Sequence, residues 1–302
     1  MDFIFEHKTF AVPAEGKNVA EMEDKIALND NVSRFAVADG VSASLFPNIW
    51  AEIISDAFVN TNCSPEDFKK VMSEGLYKDL CNKWELKANE IENNAQGVIA
   101  RRYARARRWS AGAASTLVGI SIDNGYLHYF VIGDSCLFCI GNDNMSVFSN
   151  VDEKEAFTNN PAFISTYDFM SGEPLAGALP ISPGWIVLMT DRIAEWFWHW
   201  QDNDVNTISN LWKIDNQEEF ISFIKKERDA DNLKNDDVAI LIIKVSEKPE
   251  EIIKDESQDF AEQGVQEITT TVINRSNFIS KFVDIIGNSI SIIWKILTER
   301  FK

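Results

Sequence analysis

The sequence predicts a layered domain of strands and helices, followed by a separate tail. Three observations predict it. Apolar runs of strand length recur, and several end on, or open from, an aspartate. Between them lies a long stretch with helical periodicity. Beyond residue 245 the composition turns polar and loses that periodicity.

The chain has 302 residues, 45% of them hydrophobic, and a net charge of −18. That is enough apolar content for one large core or two small ones, and the chain reads as one main domain plus a tail. So negative a net charge opposes binding to a phosphate backbone, which needs clustered Lys and Arg, and no nucleic acid partner is expected. Met1-Asp2-Phe3-Ile4-Phe5-Glu6 carries acids where a secretory signal needs a basic region and an apolar run. Four cysteines in so long a chain make no disulfide framework. Both readings lead to the expectation of a cytoplasmic protein. Cys136-Leu137-Phe138-Cys139 is formally C-x-x-C, but positions three apart in a strand point to opposite faces, so these read as ordinary strand cysteines.

Residues 3 to 12 and 24 to 30 read as strands with Glu15-Gly16-Lys17-Asn18 as a turn between them, and Glu21-Met22-Glu23-Asp24 is a dense acidic cluster. Arg34 to Ala38 is a buried-strand run that stops at Asp39-Gly40. Ser42 and Ser44 are candidate caps for a helix through Ile49, Trp50, Ile53, Ile54 and Phe58, whose spacing makes one apolar face. Residues 66 to about 108 read as continued helix, with Phe68, Val71, Met72, Leu76 and Leu80 buried, then Trp84, Leu86 and Ile91. The basic block Arg101 to Arg108 is either a solvated face or a dock for an acidic partner or phosphate. Ser115 to Ile120 and Tyr126 to Ile132 form a hairpin around Asp123-Asn124-Gly125. The second arm delivers Asp134, and Cys136 to Ile140 is the next strand. His128 reads as a satisfied strand histidine. Residues 151 to 183, rich in Pro and Gly, read as a long irregular insertion of the kind that forms lids. Trp185 to Thr190 is a strand into Asp191, followed by a helix whose aromatic residues, with His199, read as core. A helix over 217 to 227 precedes Asp236-Asp237 and the last strand, Val238 to Val245.

If these strands are neighbours, with the last antiparallel to the rest, their acids share one rim. Two carboxylates about 4 Å apart repel by roughly 4 kcal/mol at an effective dielectric near 20, so such a rim stays ionised only beside cations. Oxygen ligands without His or Cys favour Mg²⁺ or Mn²⁺ over Zn²⁺. Two ions sharing a carboxylate activate water and neutralise phosphoryl charge, which suits phosphate-monoester hydrolysis.

Met22-Glu23-Asp24, Phe35-Ala36-Val37-Ala38-Asp39-Gly40, Ser115-Thr116, Gly133-Asp134-Ser135, Thr190-Asp191 and Asp236-Asp237 stand in the order and spacing of the metal-dependent protein phosphatase 2C family. The chain resembles its compact bacterial branch over residues 10 to 245. The resemblance implies an α+β fold, a four-layer α/β/β/α sandwich with a central antiparallel β-sandwich flanked by helices. It implies a Ser/Thr phosphatase acting on phosphorylated protein, with two Mg²⁺ or Mn²⁺ ions and a third more weakly held. Asp39 would bridge two metals; Glu23 and the Gly40 carbonyl would hold one, Asp191 and Asp236 the other. Asp24 would orient metal-bound waters and Asp134 would serve the third ion. Attack on phosphorus would be direct, without a phosphoenzyme, and residues 151 to 183 would be a substrate flap. Three positions depart from the family pattern. Val19 stands where many relatives have a phosphate-holding Arg, with Lys17 the nearest cation. Val41 stands where a His can protonate the leaving group. Arg192 replaces a Gly, and is a candidate either to pair with the rim acids or to serve as the phosphate clamp.

The expected organisation is a catalytic domain over 1 to 245, a polar linker over 246 to 277 and an amphipathic helix over 278 to 302. The helix has a polar stripe at Lys281, Asp284, Asn288, Ser291, Lys295 and Thr298, which argues against a membrane span. Its apolar face suits a protein partner, self-association or a membrane surface. The rival functional reading is a phosphatase fold kept as a binding module, with the basic block and this helix as its contacts.

Overall fold

The computed structural model describes residues 3–97, 101, 112–141, 145–151, 157, 161–200 and 205–248, with the backbone alone for residues 199 and 200. The chain divides after Pro249 into two units; the second, with the expected C-terminal helix and most of the linker, lies outside the described residues, as does the basic block beyond Arg101. Among the described residues no helix is long and apolar enough to cross a membrane.

Two five-stranded antiparallel sheets make the centre. The first runs β1 (Phe3–Val12), β12 (Val238–Glu247), β11 (Gly184–Met189), β7 (Cys136–Ile140), β8 (Met145–Phe148). The second runs β10 (Leu175–Pro180), β6 (Tyr126–Ile132), β5 (Leu117–Asp123), β3 (Arg34–Ala38), β2 (Lys25–Asn29). A short pair, β4 (Ala114–Ser115) with β9 (Ile164–Ser165), stands apart.

The apolar runs Phe35 to Ala38 of β3 and Val238 to Ile243 of β12 follow from burial on both faces, since period-two alternation then sends successive side chains into two cores. Phe35 and Val37 of β3 join Leu188, Leu241 and Ile243 between the sheets, while Ala36 and Ala38 face Trp50, Ile54 and Phe58 of α1 (Pro47–Asn60). On the other side Ile240 and Ile242 of β12 face Phe197, Ile208 and Phe220. Those three come from α4 (Asp191–Trp200), α5 (Val205–Trp212) and α6 (Gln217–Asp229). With α2 (Phe68–Val71) and α3 (Tyr77–Asn94) beside α1, the order is helices, sheet, sheet, helices, as the four-layer expectation had it. Cys136 and Cys139 do point to opposite faces, one toward the helices and one toward the inter-sheet core. His128 meets Glu66 at 2.7 Å. The hairpin turn has positive φ at Asn124 and Gly125, 50° and 78°, as its residues predict.

Several expectations need correction. The helix read over 66 to 108 is interrupted by a widened turn, Met72–Leu76, around Gly75, and α3 ends at Asn94. Leu86 is 70% exposed, because the buried stripe Leu80, Trp84, Ala88 steps by four and leaves position 86 on the opposite face. Ser42 and Ser44 do not cap α1, whose N-cap is Phe46 with Pro47 as first helical residue; proline pre-sets φ and has no N–H to satisfy. The insertion over 151 to 183 is not wholly irregular. It supplies β9 and β10, the latter an edge strand in register with β6 from Leu175 opposite Val131 to Pro180 opposite Tyr126. The helix α5 was not anticipated at all.

Candidate metal and phosphate cleft

The rim acids are not on neighbouring strands of one sheet. Asp39 and Asp134 follow β3 and β6 of the second sheet; Asp191 and Asp236 flank the ends of β11 and β12 of the first. They meet at the common end of the sandwich, which is why one strand pattern on each side sufficed to bring them together.

Local packing explains the flanking residue types. The Asp39 carbonyl accepts from the Thr116 N–H at 2.8 Å and the Ser115 hydroxyl at 2.7 Å, and its own N–H donates to Thr116 Oγ1 at 3.2 Å. A Cβ on Gly40 would lie 2.8 Å from the Pro47 carbonyl carbon, so only glycine lets the loop back over itself onto α1. Gly133 has φ of 105°, and a Cβ there would lie 2.5 Å from Thr116 Cγ2. The pairs Ser115-Thr116 and Gly133-Asp134 thus lock one segment against the other, with Thr116 Oγ1 and Ser135 Oγ 2.8 Å apart.

The result is a cleft of about 310 Å³, lined by all of the candidate site residues: Glu23, Asp24, Asp39, Gly40, Asp134, Asp191, Arg192 and Asp236. Val41, Ser42, Ala43, Thr116, Pro161 and Asp237 complete its walls. Burial pushes the Asp39 carboxyl well above the ordinary carboxylate range, and Asp24, Asp191 and Asp134 push it further. Asp24 is likewise held far up by burial, with Asp191 and Asp237 adding to it against a hydrogen bond from Thr190. Asp134 is raised to about 7, by burial first and then by Asp191. Asp191 reaches about 6 because Arg192 offsets part of the burial effect. Asp24 Oδ2 and Asp134 Oδ1 are buried without a hydrogen-bond partner. Among the described residues no three His, Cys, Asp or Glu groups converge tightly enough to hold a metal ion as they stand; the acids share a cleft rather than a closed coordination sphere.

Three residues support the site in roles the sequence does not reveal. Asp237, 3% exposed, accepts from the Ala14 N–H at 2.7 Å and the Glu23 N–H at 2.6 Å, and so ties the acidic cluster to β12. Ser42 donates to Glu23 Oε2 at 2.5 Å rather than capping a helix. Lys17 sits 3.1 Å from that same oxygen and 3.5 Å from Asp237 Oδ2. Asp237 was visible as half of an Asp-Asp pair, but its partners lie more than two hundred residues away in sequence. Arg192 pairs with the rim acids, one of its two expected roles: Nε lies 3.2 Å from Asp191 Oδ2 and 3.4 Å from Asp236 Oδ2.

A family model for protein phosphatase 2C matches residues 18–234. No curated protein matches the chain. Among solved structures, it is similar to the catalytic domain of the serine/threonine protein phosphatase PstP in complex with two manganese ions, at 13% identity and a TM-score of 0.52, covering 82% of this chain and 100% of that one. It is similar to a bacterial serine phosphatase at 14% identity and a TM-score of 0.53, covering 81% and 99%. The third likeness is to the serine/threonine phosphatase Stp1 from Staphylococcus aureus, at 14% identity and a TM-score of 0.50, covering 81% and 96%. At these identities the structural likenesses show a shared fold.

Proposed function

The chain belongs to the protein phosphatase 2C family, and from that premise we propose that it is a Mg²⁺- or Mn²⁺-dependent phosphatase acting on phosphoserine and phosphothreonine in proteins. The observation that carries the reading is the gathering in one cleft of Asp39, which is half-buried, with Asp24, Asp134 and Asp191, which are buried, two of the four with unpartnered oxygens. Such oxygens are costly to bury unless a cation meets them. The donors around the cleft are carboxylate, carbonyl and hydroxyl oxygens, which fit a hard divalent ion. The similarity to PstP, solved with two manganese ions, supports the same class of ion here.

Asp39 would be shared between two ions, Glu23 and the Gly40 carbonyl would serve one end, Asp191 and Asp236 the other, and Asp134 a third position. When bound, such ions lower the pKa of water and neutralise the phosphoryl group. The chain's own residues do the rest. Ser42, Lys17 and Asp237 fix the carboxylate and backbone of Glu23. Asp24, with a buried acceptor oxygen that meets no partner, is suited to orient water. Val41 has no proton to give the leaving alkoxide, so this chain protonates it from another group or from solvent. Pro161 lines the cleft wall, and the segment it belongs to, 151 to 183, is the one that would meet residues flanking a phosphorylated side chain.

The test is phosphate release from a phosphothreonine peptide by the full chain. Turnover that appears with Mn²⁺ or Mg²⁺ and vanishes with chelator is the expected result; no metal-dependent release, with the fold intact, overturns the reading.

A further inference from the structure

The acids of the cleft stand in two different conditions. At its centre Asp24 and Asp134, each 4% exposed, keep unpartnered oxygens. At its first-sheet end Asp191 and Asp236 already share a cation, the guanidinium of Arg192, at 3.2 and 3.4 Å. That group does not titrate in a protein. It is also well anchored. Its side chain is 14% exposed, its backbone belongs to the first turn of α4, and its Nη1 lies 3.2 Å from Glu195 Oε2. Glu195 is held in turn through its other oxygen by Lys234 at 2.6 Å.

We propose that Arg192 is a built-in cation standing between Asp191 and Asp236 in place of a dissolved divalent ion. The native cleft then binds one divalent ion tightly, toward Asp39, and a second only in competition with the guanidinium. This rests on the divalent-ion reading above and goes beyond it in setting how many ions the resting cleft holds. A guanidinium and a divalent ion cannot both lie against the same two carboxylate oxygens, because like charges a few Å apart repel even at this partly hydrated end of the cleft, where the Asp236 side chain is 40% exposed. For the second ion to enter, Arg192 must withdraw. It has somewhere to go: it also lines an adjoining hollow of about 400 Å³ with Glu195, Trp196, Asn232 and Lys234, and Glu195 already holds one of its nitrogens. The family's bimetallic cleft becomes, in this chain, one whose second position is regulated by its own side chain.

The experiment is a Mn²⁺ titration of the full chain, read by calorimetry and by the electron paramagnetic resonance signal of free Mn²⁺. It compares native protein with Arg192→Ala and with Arg192→Met, which keeps the packing volume and removes the charge. Circular dichroism confirms each fold, and if the alanine variant is unfolded the methionine variant carries the comparison. The expected result is one tight ion in the native chain and a second at least tenfold weaker, with the second site tightened at least tenfold in the variants. Two equally tight ions in the native chain, or variants that bind like the native chain, overturn the assignment of Arg192. If neither native nor variant protein binds Mn²⁺, the divalent-ion reading itself fails and takes this inference with it.

Discussion

Replacing Asp134 with Asn removes one buried carboxylate from the cleft and nearly preserves its shape. Burial, and after it Asp191, raises the Asp134 pKa from 3.8 to about 7. The folded protein therefore prefers the protonated acid. Its stabilising contribution is complete below the unfolded pKa and is lost as pH rises through the folded one. One pKa unit corresponds to about 1.4 kcal/mol, so by pH 8 the metal-free cleft is less stable by roughly 4 kcal/mol on account of this group, and at pH 5 by less than half of that. For a domain of this size, 4 kcal/mol corresponds to roughly 10 °C in melting temperature. The assay is thermal unfolding in chelator at pH 5, 6.5 and 8, comparing native protein with Asp134→Asn. The variant should melt higher than native protein at pH 8, with the gap shrinking by more than half at pH 5. Millimolar Mn²⁺ should also narrow the gap at pH 8, since an ion relieves in the native chain the repulsion that the substitution removes. A gap independent of pH, or a variant less stable than native protein at pH 8, would refute the reasoning.

Gly40→Ala should cost about 1–3 kcal/mol, because its Cβ would meet the Pro47 backbone at 2.8 Å; chemical denaturation measures it, and an unchanged midpoint would mean that the loop gives way freely. Gly133→Ala should be destabilising on two counts, a φ of 105° and the Thr116 contact, and a melting temperature within a degree of native would contradict both. Asp237→Ala orphans the Ala14 and Glu23 N–H groups, a loss of about 1–3 kcal/mol for each that stays buried, and should weaken Mn²⁺ binding through Glu23; unaltered stability together with unaltered binding would show that the clamp is idle.

Much of this arrangement could be read from the chain because strand burial and site chemistry coincide. Runs such as Phe35 to Ala38 and Val238 to Ile243 are apolar on both faces, and an acid at the end of such a run is conspicuous. The strand β10 was missed because Leu175-Ala176-Gly177-Ala178-Leu179-Pro180 is an exposed edge of small residues, with too little apolar contrast to reveal its period. Placement across two sheets, rather than on one rim, depends on pairings such as β11 with β12 that no local pattern encodes. The same holds for the supporting residues of the site. Ser42 reads locally as a helix cap, since serine before a helix usually is one, and only the fold reveals Glu23 as its partner. Leu86 shows the limit of hydrophobicity alone, since its position on the helix, not its character, decides its exposure.

The central claim is that Asp39 organises a divalent-ion site that hydrolyses phosphoprotein. Its most direct test is kcat/KM on a phosphothreonine peptide in saturating Mn²⁺, for native protein and for Asp39→Asn, which keeps the side-chain size and loses the charge. The account predicts metal-dependent turnover in the native chain and a fall of at least about 100-fold, or about 2.7 kcal/mol of transition-state stabilisation, in the variant. A variant as active as the native chain, or a folded native chain inert at every Mn²⁺ and Mg²⁺ concentration, would contradict it.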